Sequence, residues 1–309
     1  MSSDTKTENF GRVMSVCAVL KEGISRLRAT RVPSHTLAAE LLLMHALGRD
    51  RTWLYTHSED AVDPAAEERY FALVARRGAG EPTQYLTGKQ EFWGLEFEVT
   101  PAVLIPRPET EHVVEVALER LGARGIKIRL DTGEPSAPLR IADVGTGSGC
   151  LAVALAHELP HAEIVATDIS APALEVARRN AARHGVLSRI HFLETNVLEG
   201  LSHEAGRFDL IVSNPPYVAR NEANTLEREV REHEPHTALF GGPTGVEIYD
   251  RLIEQAGMLL RSGGILVLEL GYNSAEHVGA ILAAQSRWAD IRITNDLAGI
   301  PRVIAAERI

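Results

Sequence analysis

Residues 139–149 read Leu139-Arg-Ile-Ala-Asp143-Val-Gly145-Thr-Gly147-Ser-Gly149. A short apolar run leads into a turn with glycine at every second position, and an apolar helix expected over Gly149–Glu158 follows. Open α/β sheets bind ligands at this kind of junction, beyond the carboxyl ends of their strands. The glycines let the backbone turn sharply and approach a ligand without a side-chain clash. The first N–H groups of the helix point at the same place. The next strand, Ala162–Thr167, runs into Asp168, 23 residues after Gly145. A carboxylate there can accept both hydroxyls of a ribose. The glycines are spaced G-x-G-x-G, and Cys150 holds the sixth place. That departs from the dinucleotide fingerprint and favours an adenosyl ligand without a pyrophosphate. The competing reading is a tight turn with Asp168 as a helix cap.

Outward from this turn, strands and helices alternate. Helices are expected at Pro172–His184, about 246–260 and 274–286, and strands at Arg189–Glu194, Phe208–Ser213, Gly264–Leu270, about 290–294 and 302–307. Such alternation implies crossover connections and a mostly parallel sheet with helices on both faces. The two successive final strands suggest an antiparallel edge pair. Toward the N-terminus the pattern is helical. Val13 to Leu27 recur at three- and four-residue spacing. Ser34 can cap a helix carrying Leu37, Leu41, Leu42, Met44 and Leu47 that stops at Gly48, and a third helix runs from about Pro64 to Arg76. The expected organisation is a helical bundle over 1–80, a hinge with short strands over 81–108, and an α/β domain over 109–309. Residues 122–139, rich in Gly, Pro and charge, read as a surface loop.

A second site lies at the end of the Phe208–Ser213 strand, where the chain reads Asn214-Pro215-Pro216-Tyr217. Two prolines fix the backbone and lack N–H groups, so the loop is rigid and presents carbonyls. Asn214 offers both an acceptor and donors, and Tyr217 a flat wall. Such a loop suits a planar NH₂ group, with the Asn214 oxygen and the Pro215 carbonyl each accepting one N–H. An amide or exocyclic amine is a poor nucleophile, so positioning must carry much of the catalysis. A simple strand stop is the competing reading.

The chain holds 32 basic and 42 acidic residues, a net charge of −10. That argues against sequence-independent phosphate binding. Cys17 and Cys150 form neither a disulfide framework nor a metal-ligand spacing. No apolar run approaches a membrane span, and no signal-peptide pattern is present. The expectations are a cytoplasmic monomer without metal, direct nucleic-acid binding or membrane contact. His233-Glu234-Pro235-His236 and the acidic run from Glu222 to Glu234 read as a solvated charged face that could also cover bound substrate. Arg107 and Glu109 read either as a salt bridge at the hinge or as part of the pocket wall.

The two sites together resemble class I S-adenosylmethionine-dependent methyltransferases that modify planar nitrogens. Further blocks narrow the resemblance. Gln84-Tyr-Leu-Thr-Gly88, Phe92-Trp-Gly94, Leu104-Ile-Pro-Arg-Pro-Glu-Thr-Glu111 and Gly299-Ile-Pro-Arg-Val303 are similar to signature blocks of the release-factor glutamine methyltransferases (PrmC/HemK type). The resemblance spans nearly the whole chain. It implies a Rossmann-like, mostly parallel seven-stranded sheet behind a small N-terminal helical bundle. It also implies S-adenosylmethionine as cofactor. The substrate implied is the Gln of the Gly-Gly-Gln motif in class 1 peptide-chain release factors, methylated on its side-chain amide. Carried over, the resemblance has Gly145, Thr146, Gly147, Ser148 and Gly149 hold the methionine portion and Asp168 the ribose. Val197 would flank the adenine, where it can pack but not stack. Asn214 would contact cofactor and Gln amide, with Pro215, Pro216 and Tyr217 shaping the slot. The helical bundle would dock the protein substrate. Glutamine methylation of a ribosomal protein and amino methylation of adenine in DNA are the alternatives. The DNA reading also requires base extrusion and a phosphate grip.

Overall fold

The computed structural model describes residues 13–123, 138–204 and 206–309, and the chain divides between Thr87 and Gly88 into two units. The first unit holds α1 (Val16–Ala29), α2 (His35–Leu47), α3 (Arg51–Thr56), α4 (Pro64–Gly78) and α5 (Thr83–Thr87). Side chains cap three of these helices. Ser15 accepts from the Ala18 N–H at 3.3 Å, Asp50 from Trp53 at 2.7 Å and Asp63 from Ala66 at 3.1 Å. Ser34, the cap expected for α2, makes no such bond. Its backbone is left-handed (φ 48°), and α2 opens instead on the Ala38 N–H donating to the Ser34 carbonyl at 3.0 Å. α3 and α5 are too short to show a helical period in the sequence. The core of this unit is built from Val19, Leu27, Leu42, Leu43, Tyr70 and Val74, with Leu86 of α5. Leu37 and Leu41 are 49% and 36% exposed, because Ala38, Ala39, Leu42 and Leu43 occupy the inner side of α2.

The second unit opens with a hairpin, β1 (Lys89–Phe92) and β2 (Leu95–Glu98), antiparallel and turned through Trp93 and Gly94, both at positive φ. The stretch 81–108, read from sequence as one hinge, is therefore shared: α5 belongs to the first unit and the hairpin to the second. There follow α6 (Glu111–Gly122), β3 (Arg140–Val144), α7 (Cys150–Glu158), β4 (Glu163–Asp168), α8 (Ala171–Arg183), β5 (Ile190–Glu194) and β6 (Phe208–Ser213). Next come β7 (Val218–Ala219), α9 (Arg228–His233), α10 (His236–Leu239), β8 (Phe240–Gly242) and α11 (Glu247–Leu259). The unit ends with β9 (Leu260–Glu269), α12 (Ala275–Ala283), β10 (Trp288–Asn295) and β11 (Pro301–Arg308). Most of the surface loop expected over 122–139 lies outside the described residues.

The main sheet has seven strands in the order β10-β11-β9-β6-β3-β4-β5. β5, β4, β3, β6 and β9 form one parallel run, while β11 is antiparallel to both β9 and β10. The sequence suggested an antiparallel pair at the edge. β10 and β11 are that pair, with β10 outermost, so the last strand lies between β9 and β10 and its Val303–Ala306 are buried accordingly. Because side chains alternate across a strand, Ile141, Ile164, Leu210 and Val267 line one buried face with α6 and α7. Ala142, Ile211, Leu266 and Leu268 line the other with α11 and α12. Covering both faces explains why these strands read as continuous apolar runs. The strand order reverses at β3. β4 lies on one side of it and β6 on the other, which opens a crevice beyond their carboxyl ends. No described helix is long and apolar enough to cross a membrane.

Candidate active site

A cavity of about 710 Å³ opens at this switch point. β3 brings Gly145 and Gly147 to it, β4 brings Asp168, the turn after β5 brings Asn196 and Val197, and β6 brings Asn214, Pro215 and Pro216. Ala102, Val103 and Leu104 form another part of its wall, and Arg220, His236 and Arg251 a further part. The two segments that stood out in the sequence thus face one space.

The glycines of the 143–149 turn divide into two kinds. All three have positive φ. Side chains built at Gly145 or Gly147 would meet essentially open space, so these positions leave a bare backbone cradle. Gly149 is different: a Cβ there would lie 3.1 Å from Ala177, so its absence lets α7 approach α8. Thr146 and Ser148 are buried and, with Gly149, are set back from the cavity. Gly149→Ala combines that contact with an unfavourable φ of 82°. It is expected to lower stability by roughly 1–3 kcal/mol, read as a lower urea midpoint with an unchanged slope.

Carboxylates lock the turn. Asp143 is fully buried; its Oδ2 accepts from Thr146 Oγ1 at 2.6 Å and from the Ala152 N–H at 3.0 Å. Burial pushes its carboxyl up to about 7 against those bonds. Its Oδ1 has no hydrogen-bond partner among the described residues. Asp168, on the cavity wall, accepts from the Gly147 N–H through Oδ2 and the Ser170 N–H through Oδ1, both at 2.9 Å. Each oxygen keeps lone-pair capacity for a further donor. Burial raises its pKa, with the Ser170 and Gly147 bonds opposing. Asn180, fully buried on α8, donates to the carbonyls of Ser148 at 2.9 Å and Glu98 at 3.0 Å and accepts from the Glu98 N–H at 2.7 Å. It ties the turn to the hairpin. Val197 holds a left-handed backbone (φ 55°), unusual for a β-branched residue. Thr167 Oγ1 donates to its carbonyl at 2.9 Å, and Gln255 accepts from the next N–H at 2.9 Å.

At the end of β6, Asn214 is half-buried and donates from Nδ2 to Thr110 Oγ1 at 3.0 Å. Thr110 in turn donates to Glu269 Oε2 at 2.6 Å. Tyr217 stacks over Gly271, where a Cβ would meet its ring at 2.8 Å, and its hydroxyl reaches Glu269 Oε1 at 3.4 Å. Tyr217 therefore lies behind the loop, outside the cavity lining, while Pro215 and Pro216 face the cavity. The segment after the loop is not simply a solvated charged face. Glu234 is buried, pairs with Arg107 and accepts from the Ile105 N–H at 3.2 Å. Arg107 thus pairs with Glu234, not with Glu109, and pins the 102–107 wall to the 228–240 segment. Local sequence could not reveal these partners, which are more than 120 residues apart. Among the described residues no group of three or more His, Cys, Asp or Glu could hold a metal ion.

A bare-backbone cradle, a carboxylate one strand away and an open crevice fit an adenosyl ligand carrying an amino acid. The architecture is also shared by known proteins. The catalytic domain of hMettl16, solved with the MAT2A 3'UTR hairpin 1, aligns with a TM-score of 0.54 at 18% identity, over 76% of this chain and 80% of that one. A T. thermophilus 16S rRNA N2 methyltransferase, solved with AdoMet and guanosine, aligns at 0.50 and 20% identity, over 72% of this chain and 50% of that one. A methyltransferase small domain model matches residues 127–234. Fold and site define a class I S-adenosylmethionine-dependent methyltransferase. The PrmC N-terminal domain model matches residues 18–88. A release factor glutamine methyltransferase of Koribacter versatilis is 42% identical over 296 residues, 96% of this chain and 99% of that one. One of Chlorobaculum tepidum is 44% identical over 287 residues, 92% and 94% respectively. The chain belongs to the release factor glutamine methyltransferase family.

Proposed function

We propose that this enzyme methylates the side-chain amide nitrogen of the Gln in the Gly-Gly-Gln motif of class 1 release factors, and that the residues around the cavity divide the work. The observation that carries the reading is that Asn214 and Pro215 line the same cavity as Gly145, Gly147 and Asp168. Gly145 and Gly147 take the methionine portion of S-adenosylmethionine, Asp168 the ribose, and Val197 packs on the adenine. Gly149, Thr146 and Ser148 shape the turn from behind. S-adenosylmethionine supplies a methyl carbon on a sulfonium: the amide nitrogen's pair forms the N–C bond, the C–S pair goes to sulfur, and one amide proton leaves to water. The chain's own contribution is orientation. Asn214 Oδ1 and the Pro215 carbonyl each accept one amide N–H, which turns the nitrogen's face toward the methyl group. Pro216 and Tyr217 keep that loop rigid. Positioning of this kind replaces the intrinsic nucleophilicity an amide lacks.

The helical unit ending at Thr87 carries no cavity residue, and we assign it to docking the release factor, in the cytoplasm and as a monomer. Leu37 and Leu41 lie one turn apart on α2 with large exposed surfaces. Remote contacts hold the Gln in place and raise the rate as well as the affinity. Leu37→Ser with Leu41→Ser is expected to slow methylation of intact release factor severalfold while thermal stability and cofactor affinity stay at wild-type values. An unaltered rate would make this face merely structural. For the reaction itself, labelled S-adenosylmethionine is offered with release factor, ribosomal protein or an adenine-containing DNA duplex. Transfer to release factor is expected; transfer to one of the others alone would overturn the assignment.

A further inference from the structure

Glu269 ends β9, is 3% exposed, and among the described residues no cation is bonded to it. Thr110 donates to its Oε2 and the Tyr217 hydroxyl faces its Oε1. Tyr249 donates to its backbone carbonyl at 2.9 Å and accepts from the Gly271 N–H at 3.2 Å, which fixes the strand end. Arg302 on β11 attracts it at longer range but is bonded to Asp296 at 2.8 Å, and Glu109 adds like charge. An isolated buried carboxylate is costly, and the cofactor cradle makes no use of this one.

We infer that Glu269 acts through Thr110 as a positioning pair that dictates which end of the Asn214 amide faces the methyl acceptor. An ionised carboxylate only accepts hydrogen bonds. The Thr110 proton is therefore committed to Glu269, and the Thr110 oxygen is left to accept. The group that meets it must be a donor, and it is: Asn214 Nδ2, at 3.0 Å. The other end of the amide, Oδ1, is thereby the end left for an incoming N–H. If Thr110 donated to Asn214 instead, the amide would turn over and present its own N–H groups to a substrate NH₂, donor against donor. The hydrogen-bond polarity of the loop is thus set at Glu269, 159 residues from Thr110 in sequence. Tyr217 on the same carboxylate ties the far end of the Asn-Pro-Pro-Tyr loop to the same anchor. The inference rests on the reading of the substrate as an amide NH₂.

The charge state matters. Burial pushes the Glu269 carboxyl up to about 7, with Thr110 and Arg302 opposing and Glu109 reinforcing. Above that value it is an acceptor only; below it, the acid carries a proton of its own and no longer forces Thr110 to point toward it. The methylation rate should therefore rise as pH increases through about 7. Asp143 has a carboxyl displaced to a similar value, so substitution is needed to assign the rise.

The test compares wild type with Thr110→Val, Thr110→Ser and Glu269→Gln on intact release factor. Thr110→Val is expected to lower kcat about tenfold or more, as loss of one orienting hydrogen bond would, with cofactor Kd unchanged. Thr110→Ser restores most of the rate. Glu269→Gln is slow and loses the rise through neutral pH. A folded Thr110→Val at wild-type kcat, a Thr110→Ser as slow as Thr110→Val, or an unchanged pH profile in Glu269→Gln would overturn the inference. A second measurement needs no substrate: the ¹⁵N-resolved side-chain amide of Asn214. Its signals should shift with pH through about 7 in wild type and not in Glu269→Gln; no shift in wild type overturns the relay. Wild type that leaves release factor unmethylated would count against the glutamine reading, while the amide spectra would still decide the relay.

Discussion

Asn214→Ala is expected to slow methyl transfer to release factor on the order of a hundredfold or more, the scale of effect that misplacing a reacting group can have. Cofactor affinity should change much less. The side chain removed does no acid–base work. It holds a planar nitrogen whose own reactivity is low, so its loss is felt in the transition state, as lower kcat with a smaller change in KM. Because Asn214 is only half-buried at a strand end, the fold should survive, and the two quantities can be measured on the same folded protein. Asn214→Asp sharpens the test. It keeps an acceptor for the substrate but turns a carboxylate toward Thr110, whose proton is already committed to Glu269. Partial activity is expected, below wild type and above Asn214→Ala. Single-turnover rates with saturating cofactor, beside calorimetric affinities, separate the three proteins. Wild-type turnover by Asn214→Ala would remove the loop from catalysis.

Asp168→Ala is expected to weaken S-adenosylmethionine binding by about 1.5–3 kcal/mol, the range for hydrogen bonds to a charged group, or roughly 10- to 150-fold in Kd. Two effects combine. The ribose hydroxyls lose their acceptor, and the Gly147 N–H, bonded to Asp168 at 2.9 Å, loses the partner that holds the cradle in shape. The second effect makes Asp168→Asn informative. An amide oxygen can still accept from Gly147, so an asparagine should recover part of the affinity. Unchanged affinity in a folded Asp168→Ala would take this carboxylate out of the site.

What the sequence disclosed follows from the range of each interaction. Gly145, Gly147, Asp168 and Asn214 were legible because each stands in a short segment whose backbone demands are local: a left-handed turn, a strand end, a proline-locked loop. The sheet's parallel character was legible from the same alternation of strand and helix. The insertion of β11 between β9 and β10 was not, because two strands joined by a tight connection look alike whether they end a sheet or fold back into it. The buried faces of Val303–Ala306 decide that point only in three dimensions. Gly149 looked like a third cradle glycine, and only its distance to Ala177 shows it to be a packing position. Thr110, Asn180, Glu234 and Glu269 are not legible as site residues for one reason. Each is a polar residue whose meaning lies in a buried partner far along the chain, and no local spacing marks such a pair. A charged residue closing an otherwise apolar strand, as Glu269 closes Ile265–Leu268, was the nearest available signal, since a buried charge requires partners.

On the proposed reading, this cavity transfers a methyl group to one glutamine amide. The most direct measurement is peptide-level mass spectrometry of a purified class 1 release factor after incubation with the protein and S-adenosylmethionine. The expected result is a single added methyl on the Gln of the Gly-Gly-Gln motif, absent when Asn214→Ala replaces wild type. A methyl group placed on any other residue, or none on that glutamine with active wild-type protein and bound cofactor, would contradict it.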